Sequence, residues 1–360
     1  MRIYYIVLAV LLVLGGLAQR ADAPYMLDEK RDLFGHKQTS AFLYAIIVAF
    51  LIFVAGFRYY VGADFYAYYG HYDYYVRSLG ESLRTLTEPG YPLIARLGTL
   101  IYDDGASAIF AASFFTIGLS LLVVYRHSER LLPALVLYLF LGFWDGSFNG
   151  VRQYMAVAVV FCGYSALREK KFWKYLLIIF VAYLCHRSAA VMIILYFLVH
   201  REINFRNLFV LIIVVVVGLT IYDRLFSFAG WILDDEAFGG TQYATNQVNR
   251  LRVLASVLPT MLFIALCWKQ EKNERETFFL NLMILHTAIQ ITTMNSALLY
   301  RIGDYTTLFQ VVAIPEVLKM LSRRNRSFIN SFMYPLYGVL WWYEIYIHED
   351  LNNFRWIWQR

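Results

Sequence analysis

The chain has 360 residues, of which 60% are hydrophobic and 16% charged, with a mean hydropathy of +0.51 and a formal net charge of +6. Soluble domains are about half apolar and about a quarter charged; here the apolar excess runs from end to end, which excludes a soluble body on one anchor and predicts a single integral membrane domain over 1–360. The basic residues form short clusters between apolar runs, as membrane loops do, so the positive charge does not point to nucleic acid.

A spanning helix needs about 17 to 25 mostly apolar residues. In chain order the apolar runs predict helices over 3–18, 39–56, 106–125, 131–145, 152–168, 172–185, 188–200, 207–223, 252–268, 277–295, 304–321 and 330–347. The expected fold is therefore an all-α polytopic membrane protein with about twelve transmembrane helices, ten to thirteen being the working range. The first run is followed by Leu-Ala-Gln-Arg-Ala-Asp-Ala, as before a signal-peptide cleavage site, but Met1-Arg2 is a weak basic start and a retained span is expected. After the turn Glu88-Pro89-Gly90-Tyr91-Pro92, the run LIARLGTLIY is too short to span; a re-entrant or interfacial half-helix near 89–102 is expected.

The loops alternate in composition. Lys30, Lys37, Lys170, Lys171, Lys174, Lys269, Lys272 and Lys319 are all the lysines, and all lie in or beside one set of loops, which the positive-inside rule makes cytoplasmic. The other set holds the two long outer segments, 57–105 and 224–251. Its basic residues are arginines, among them Arg58, Arg152, Arg187, Arg250, Arg252 and Arg301. The arginine fork suits phosphate and stacks on aromatic rings, and lysine does neither as well. An ordinary account is that these arginines snorkel or pair with loop carboxylates; as a set they point to an outward-facing anion site.

Five outer features carry candidate residues. In 57–105, Arg58 and Asp64 stand among tyrosines that suit either an interfacial aromatic belt or sugar stacking. Glu88 opens the turn before the half-helix. In DGSFNGVRQYMAVAVV, Arg152 and Gln153 sit at a helix start, where the positive helix end favours an anion; an ordinary span boundary is the alternative. In AYLCHRSAAVMI, His186-Arg187 interrupts two apolar runs; His186 is either a polar cap or a base titrating near neutrality. Arg250 and Arg252 enter one span after Asp234, Asp235 and Glu236, and Arg301, Asp304 and Tyr305 open another. Cys162, Cys185 and Cys267 show neither metal spacing nor a disulfide pattern. No P-loop, dinucleotide fingerprint, HExxH or nucleophile elbow occurs.

RYYVGADFYAYY resembles the early arginine-tyrosine, valine-glycine-x-aspartate motif of EpsG-family membrane proteins, which are Wzy-type polysaccharide polymerases. The stretch 151–198 is similar to that family's arginine-glutamine helix, basic turn and His-Ser hairpin, with Arg187 inserted between His186 and Ser188. RIGDYTTLFQVVAIPEVL resembles its late arginine-tyrosine segment. The order of these motifs covers nearly the whole chain.

The resemblance implies a GT-C-like fold and polymerisation of repeat units carried on undecaprenyl pyrophosphate, at the outer face of the bacterial cytoplasmic membrane. Implied partners are the undecaprenyl-pyrophosphate-linked oligosaccharide, membrane lipid and a separate chain-length regulator. Charge that builds on the departing pyrophosphate calls for preorganised cations. Arginines fill that role in the absence of a compact outer Asp-x-Asp, so no cofactor or metal is expected. The expected pyrophosphate- or substrate-binding residues are Arg58, Arg152, Gln153, Arg187, Arg250, Arg252, Arg301 and Tyr305. His186 is the expected base, with Asp64 and Glu88 as rivals. Two other functions stay open: a flippase for lipid-linked sugars, which would need polar groups at mid-span, and an outer-face ligase.

Overall fold

A computed structural model describes residues 1–22, 38–220 and 248–360. In chain order the described helices are α1 (Arg2–Asp22), α2 (Gln38–Gly56), α3 (Phe65–Tyr69), α4 (Tyr72–Thr85), α5 (Gly90–Thr99), α6 (Gly105–His127), α7 (Leu131–Phe140), α8 (Phe143–Gly146), α9 (Val151–Cys162), α10 (Tyr164–Arg168) and α11 (Phe172–Cys185). A 3-10 turn at Arg187–Met192 leads into α12 (Ile193–Leu198) and α13 (Phe205–Thr220). The remainder holds α14 (Arg250–Cys267), α15 (Glu274–Thr293), α16 (Ala297–Tyr300), α17 (Asp304–Met320), α18 (Arg323–Ile347) and α19 (Glu349–Asn352). The only described sheet is a two-residue pairing of β1 (Arg58–Tyr59) with β2 (Arg355–Trp356).

The all-α membrane class is evident in this list. Among the described residues, α1, α2, α6 and α14 are long and apolar enough to cross a membrane; α7, α9, α11, α13 and the stretch 187–198 are shorter apolar helices. Several predicted runs are cut by glycine. Gly142 adopts φ +75°, in the left-handed region, so α7 stops at Phe140 instead of continuing to 145. Gly163 separates α9 from α10 within the predicted run 152–168. A short helix, α5, forms where the half-helix is expected. The segment 57–105, expected on the outer side, is largely helical, whereas most of 224–251, with Asp234, Asp235 and Glu236, lies outside the described residues.

The chain divides into two compact units. The first comprises 1–164, 177–189 and 341–360. Within it α1 buries Tyr4, Val7, Leu11, Gly15 and Ala18, a spacing of three to four residues that forms one helix face. The large aromatic side chains of this core bury polar tips, and hydrocarbon surroundings make an unsatisfied tip costly. Trp144 Nε1 donates to the Leu51 carbonyl at 3.2 Å and the Tyr44 hydroxyl to the Leu121 carbonyl at 2.8 Å. The tail returns to the same unit: the Tyr4 hydroxyl donates to the Leu351 carbonyl at 2.9 Å, and Trp341 Nε1 to Asp145 Oδ1 at 2.9 Å.

The second unit comprises 165–176 and 190–340. Its core is α15 against α17, with Phe278, Leu280, Leu308, Phe309 and Val311 buried. Asn273 starts α15 with a capping box, accepting the Glu276 N–H at 2.9 Å while Glu276 Oε2 accepts the Asn273 N–H at 2.9 Å. Buried polar side chains join neighbouring helices, as Thr260 to Thr287 at 2.8 Å and His286 Nδ1 to Thr306 Oγ1 at 2.8 Å.

Candidate active site

Arg58 is 1% exposed, just beyond the end of α2. Its Nε donates to the Val61 carbonyl at 3.2 Å, Nη1 to the Ala55 carbonyl and to Ser113 Oγ at 3.0 Å, and Nη2 to the Phe148 carbonyl at 3.5 Å. The guanidinium also lies 4.7 Å from the centre of the Phe148 ring. Burial pushes its pKa down to about 10, against the opposing influence of Tyr4 and Tyr91, so it stays charged near neutrality. All three nitrogens are thus engaged by the protein, and Arg58 fastens the segment after α2 to the turn before α9.

Gly62 and Asp64 complete that fastening. Gly62 has φ +99°, and a Cβ there would stand 2.6 Å from the Phe148 carbonyl oxygen, so both its backbone and its surroundings require glycine. Asp64 Oδ2 accepts the Gly150 N–H at 2.8 Å, and the Asp64 N–H donates to Asn149 Oδ1 at 3.4 Å. Asp64 therefore holds the start of the helix that carries Arg152.

A second cluster gathers Glu88, Arg152 and His186 within the same unit. Glu88 Oε2 accepts Arg152 Nη1 at 2.6 Å. Glu88 Oε1 lies 2.7 Å from His186 Nδ1 and accepts the Arg187 N–H at 2.9 Å. The Glu88 side chain is 10% exposed and that of His186 28%, so the carboxylate is enclosed and the imidazole reaches the surface. Two local features make this meeting geometrically feasible. Glu88 itself has φ +47°, an uncommon conformation for a non-glycine residue. Gly90 begins α5 so close to α11 that a Cβ would stand 2.7 Å from Cys185 Sγ and 2.8 Å from Cys185 Cα.

The partners of Glu88 hold its carboxyl ionised. Burial alone would push the Glu88 carboxyl up, but the hydrogen bond and charge of His186, the charge of Arg152 and the Arg187 N–H together hold it down at about 2. Ionised, it can only accept. His186 Nδ1 must then carry the hydrogen it donates to Glu88, and in the neutral ring Nε2 is left with the lone pair. Such an imidazole, oriented by a carboxylate, can take a proton at Nε2.

Arg152 is partly exposed, at 37% of its side chain. Tyr68 hydrogen-bonds the same guanidinium, while Nε is buried with no partner among the described residues. Tyr68, Tyr75 and Tyr91 pack on one another, with Tyr68 and Tyr75 stacked at 5.8 Å and Tyr91 edge-on to both. Tyr60, Tyr66 and Tyr74 are exposed instead. The tyrosine-rich stretch thus divides into an inner group around Arg152 and an outer group; nothing in the sequence distinguishes Tyr68 from its neighbours. Gln153 is buried at the same helix start.

The remaining candidates belong to the second unit. Arg250 and Arg252 are exposed at the start of α14, whose first turn is capped by Asn249 Oδ1 accepting the Leu251 N–H at 3.0 Å. Arg301 and Arg252 are the cations whose charge acts on Asp304, so these three form a second group. Tyr305 is fully buried within α17. Among the described residues, no three His, Cys, Asp or Glu side chains gather as a metal site would require.

A model of the EpsG family matches residues 41–357. No curated protein and no solved structure matches the chain.

Proposed function

The chain belongs to the EpsG family, a Wzy-type polysaccharide polymerase-like family, and from that premise we propose that it is a glycosyltransferase that extends a polysaccharide at the outer face of the bacterial cytoplasmic membrane. The donor is a glycan on undecaprenyl pyrophosphate and the acceptor a lipid-linked repeat unit. A GT-C-like arrangement of spans and a separate chain-length regulator belong to the same reading.

The observation that carries it is the Glu88–Arg152–His186 cluster. The acceptor hydroxyl gives its proton to His186 Nε2 as its oxygen bonds to C1 of the donor sugar. The C1–oxygen bond to the pyrophosphate breaks, and the electron pair leaves with the phosphate oxygen. Glu88 holds the imidazole in the tautomer this requires. Arg152, tied to Glu88 through Nη1 and with a partly exposed side chain, supplies positive charge for the developing negative charge. Arg187 contributes its backbone N–H to Glu88, and its side chain is assigned to the substrate as a further cation. Arg250, Arg252 and Arg301 are assigned to the pyrophosphate of a lipid-linked substrate. Arg58, Asp64 and Tyr305 are assigned to structure instead, because their polar groups are engaged by the protein or buried.

The test is a purified protein in lipid nanodiscs given only a lipid-linked repeat unit. Longer lipid-linked chains are the expected product. No lengthening would overturn the reading: a flippase yields none, and a ligase needs a second, different acceptor.

A further inference from the structure

The cluster above does not explain what fixes Arg152. α9 begins at Val151, and the residue before it, Gly150, has φ +55° and no side chain with which to cap the helix. The first N–H groups of a helix have no partner within it. Here the Gly150 N–H is taken by Asp64 Oδ2 at 2.8 Å, a carboxylate supplied from the segment after α2. A negative group at this end of a helix is also electrostatically favourable. The direction in which α9 leaves its turn, and with it the position of Arg152, therefore depends on where Asp64 stands.

The segment that carries Asp64 is in turn held by the tail of the chain. β2 pairs with β1, Arg58 opposite Trp356 and Tyr59 opposite Arg355. The Ile357 N–H donates to the Phe57 carbonyl at 2.9 Å, and the Gly62 N–H to the Asp350 carbonyl at 3.0 Å. Arg360 closes the strap: its Nη1 donates to Asp104 Oδ2 at 2.7 Å and to the Tyr69 hydroxyl at 3.0 Å. Asp104 is itself the cap of α6, accepting the Ala106 N–H at 3.3 Å. One arginine thus joins the tail to the end of α3 and to the cap of α6.

We propose that Asp64 and Arg360 are positioning residues for Arg152: Arg360 latches the tail across the 57–69 segment, and that segment sets the head of α9 through Asp64 and the Gly150 N–H. The Arg360–Asp104 pair is partly exposed, 45% and 18%, and exposed pairs contribute little to stability. Its loss should be visible as displaced geometry with little change in melting temperature.

The experiment compares Asp64→Asn, Arg360→Gln and Arg360→Lys by hydrogen exchange of a 148–153 peptide, alongside melting temperature and turnover. Asp64→Asn should speed exchange in 148–153 about tenfold. It should lower kcat tenfold or more with KM within about twofold, because misplacing a transition-state contact by about an ångström costs up to about a hundredfold. Arg360→Gln should loosen both the tail and 148–153 and lower kcat several-fold, and Arg360→Lys should restore both. The proposal is overturned if Arg360→Gln loosens the tail and leaves 148–153 protected, or if Asp64→Asn keeps wild-type exchange in 148–153. It rests on the functional reading only through kcat. If the wild-type protein lengthens no chain, that reading falls, and exchange in 148–153 still decides the relay.

Discussion

His186 Nδ1 and Glu88 Oε1 lie 2.7 Å apart, joined across 98 residues of sequence. Glu88 divides its two oxygens, one toward the imidazole and one toward the Arg152 guanidinium. A single enclosed carboxylate thus sets both the tautomer of the base and the neighbourhood of the cation. Each group depends on Glu88 for its orientation, so their contributions to turnover should be strongly non-additive.

Glu88→Gln keeps the shape of the side chain and removes its charge. The amide has one acceptor oxygen where the carboxylate has two, so it cannot accept from both the His186 side and the Arg152 guanidinium, and turnover should fall about a hundredfold or more, the usual range for losing an acid–base group. His186→Gln should fall to a similar level. The double variant should be no worse than either single one. Chain-length ladders from cells expressing each variant, normalised to folded protein, check this.

The same carboxylate predicts an acid sensitivity. Glu88 is held at about 2, below its ordinary 4.5, so the native state binds its proton less readily than the unfolded chain does. Its contribution is complete above pH 4.5 and is lost as pH falls toward 2. The size is about 3 kcal/mol, from about 1.4 kcal/mol per unit. Unfolding midpoints in detergent between pH 6 and pH 2 should drop less steeply for Glu88→Gln than for the wild type; parallel curves would contradict the assignment.

Arg152→Ala and Arg301→Ala should each give cells that make single repeat units but no ladder of longer chains. Arg152→Lys should also lose most activity, since an ammonium cannot keep Glu88 on one side and a phosphate oxygen on another with a planar fork. Long polymer from both alanine variants at normal abundance would remove these arginines from the functional assignment.

Arg58→Ala should act on folding instead. It strands the Val61, Ala55 and Phe148 carbonyls in the protein interior, at about 1–3 kcal/mol for each group left unsatisfied. The expected result is a large loss of folded protein and a lowered melting temperature. Normal abundance and melting temperature with no polymer would place Arg58 in the chemistry after all.

Much of this architecture was legible because membrane helices write themselves as long apolar runs: α1, α2, α6 and α14 coincide with four predicted spans. Where helices stop short, the cause is a backbone feature. Gly142 reads as an ordinary glycine until its φ of +75° is seen. The site was legible as a set of residue types and not as a set of contacts. Glu88, Arg152 and His186 stand out singly, as a turn carboxylate, a helix-start arginine and a histidine between apolar runs, but no periodicity links positions so far apart. Arg58 illustrates the opposite failure. Its residue type suits a phosphate, and only the surrounding Ala55, Val61, Ser113 and Phe148 show that its donors are already taken. Asp64 was visible as a motif residue, whereas its partner is a backbone N–H, which no side-chain pattern can reveal.

The distance in sequence between Glu88 and His186 has a consequence for how the protein is made. Chains emerge from the ribosome at about 5–20 residues per second, so Glu88 is synthesised roughly 5–20 s before the imidazole that will sit against it. Until then the carboxylate lacks its imidazole, although Arg152, only 64 residues downstream, is made earlier. Residues 57–105 can therefore reach the arrangement seen here only after α11 has been delivered to the membrane, and a nascent chain arrested before residue 186 should leave Glu88 open to water.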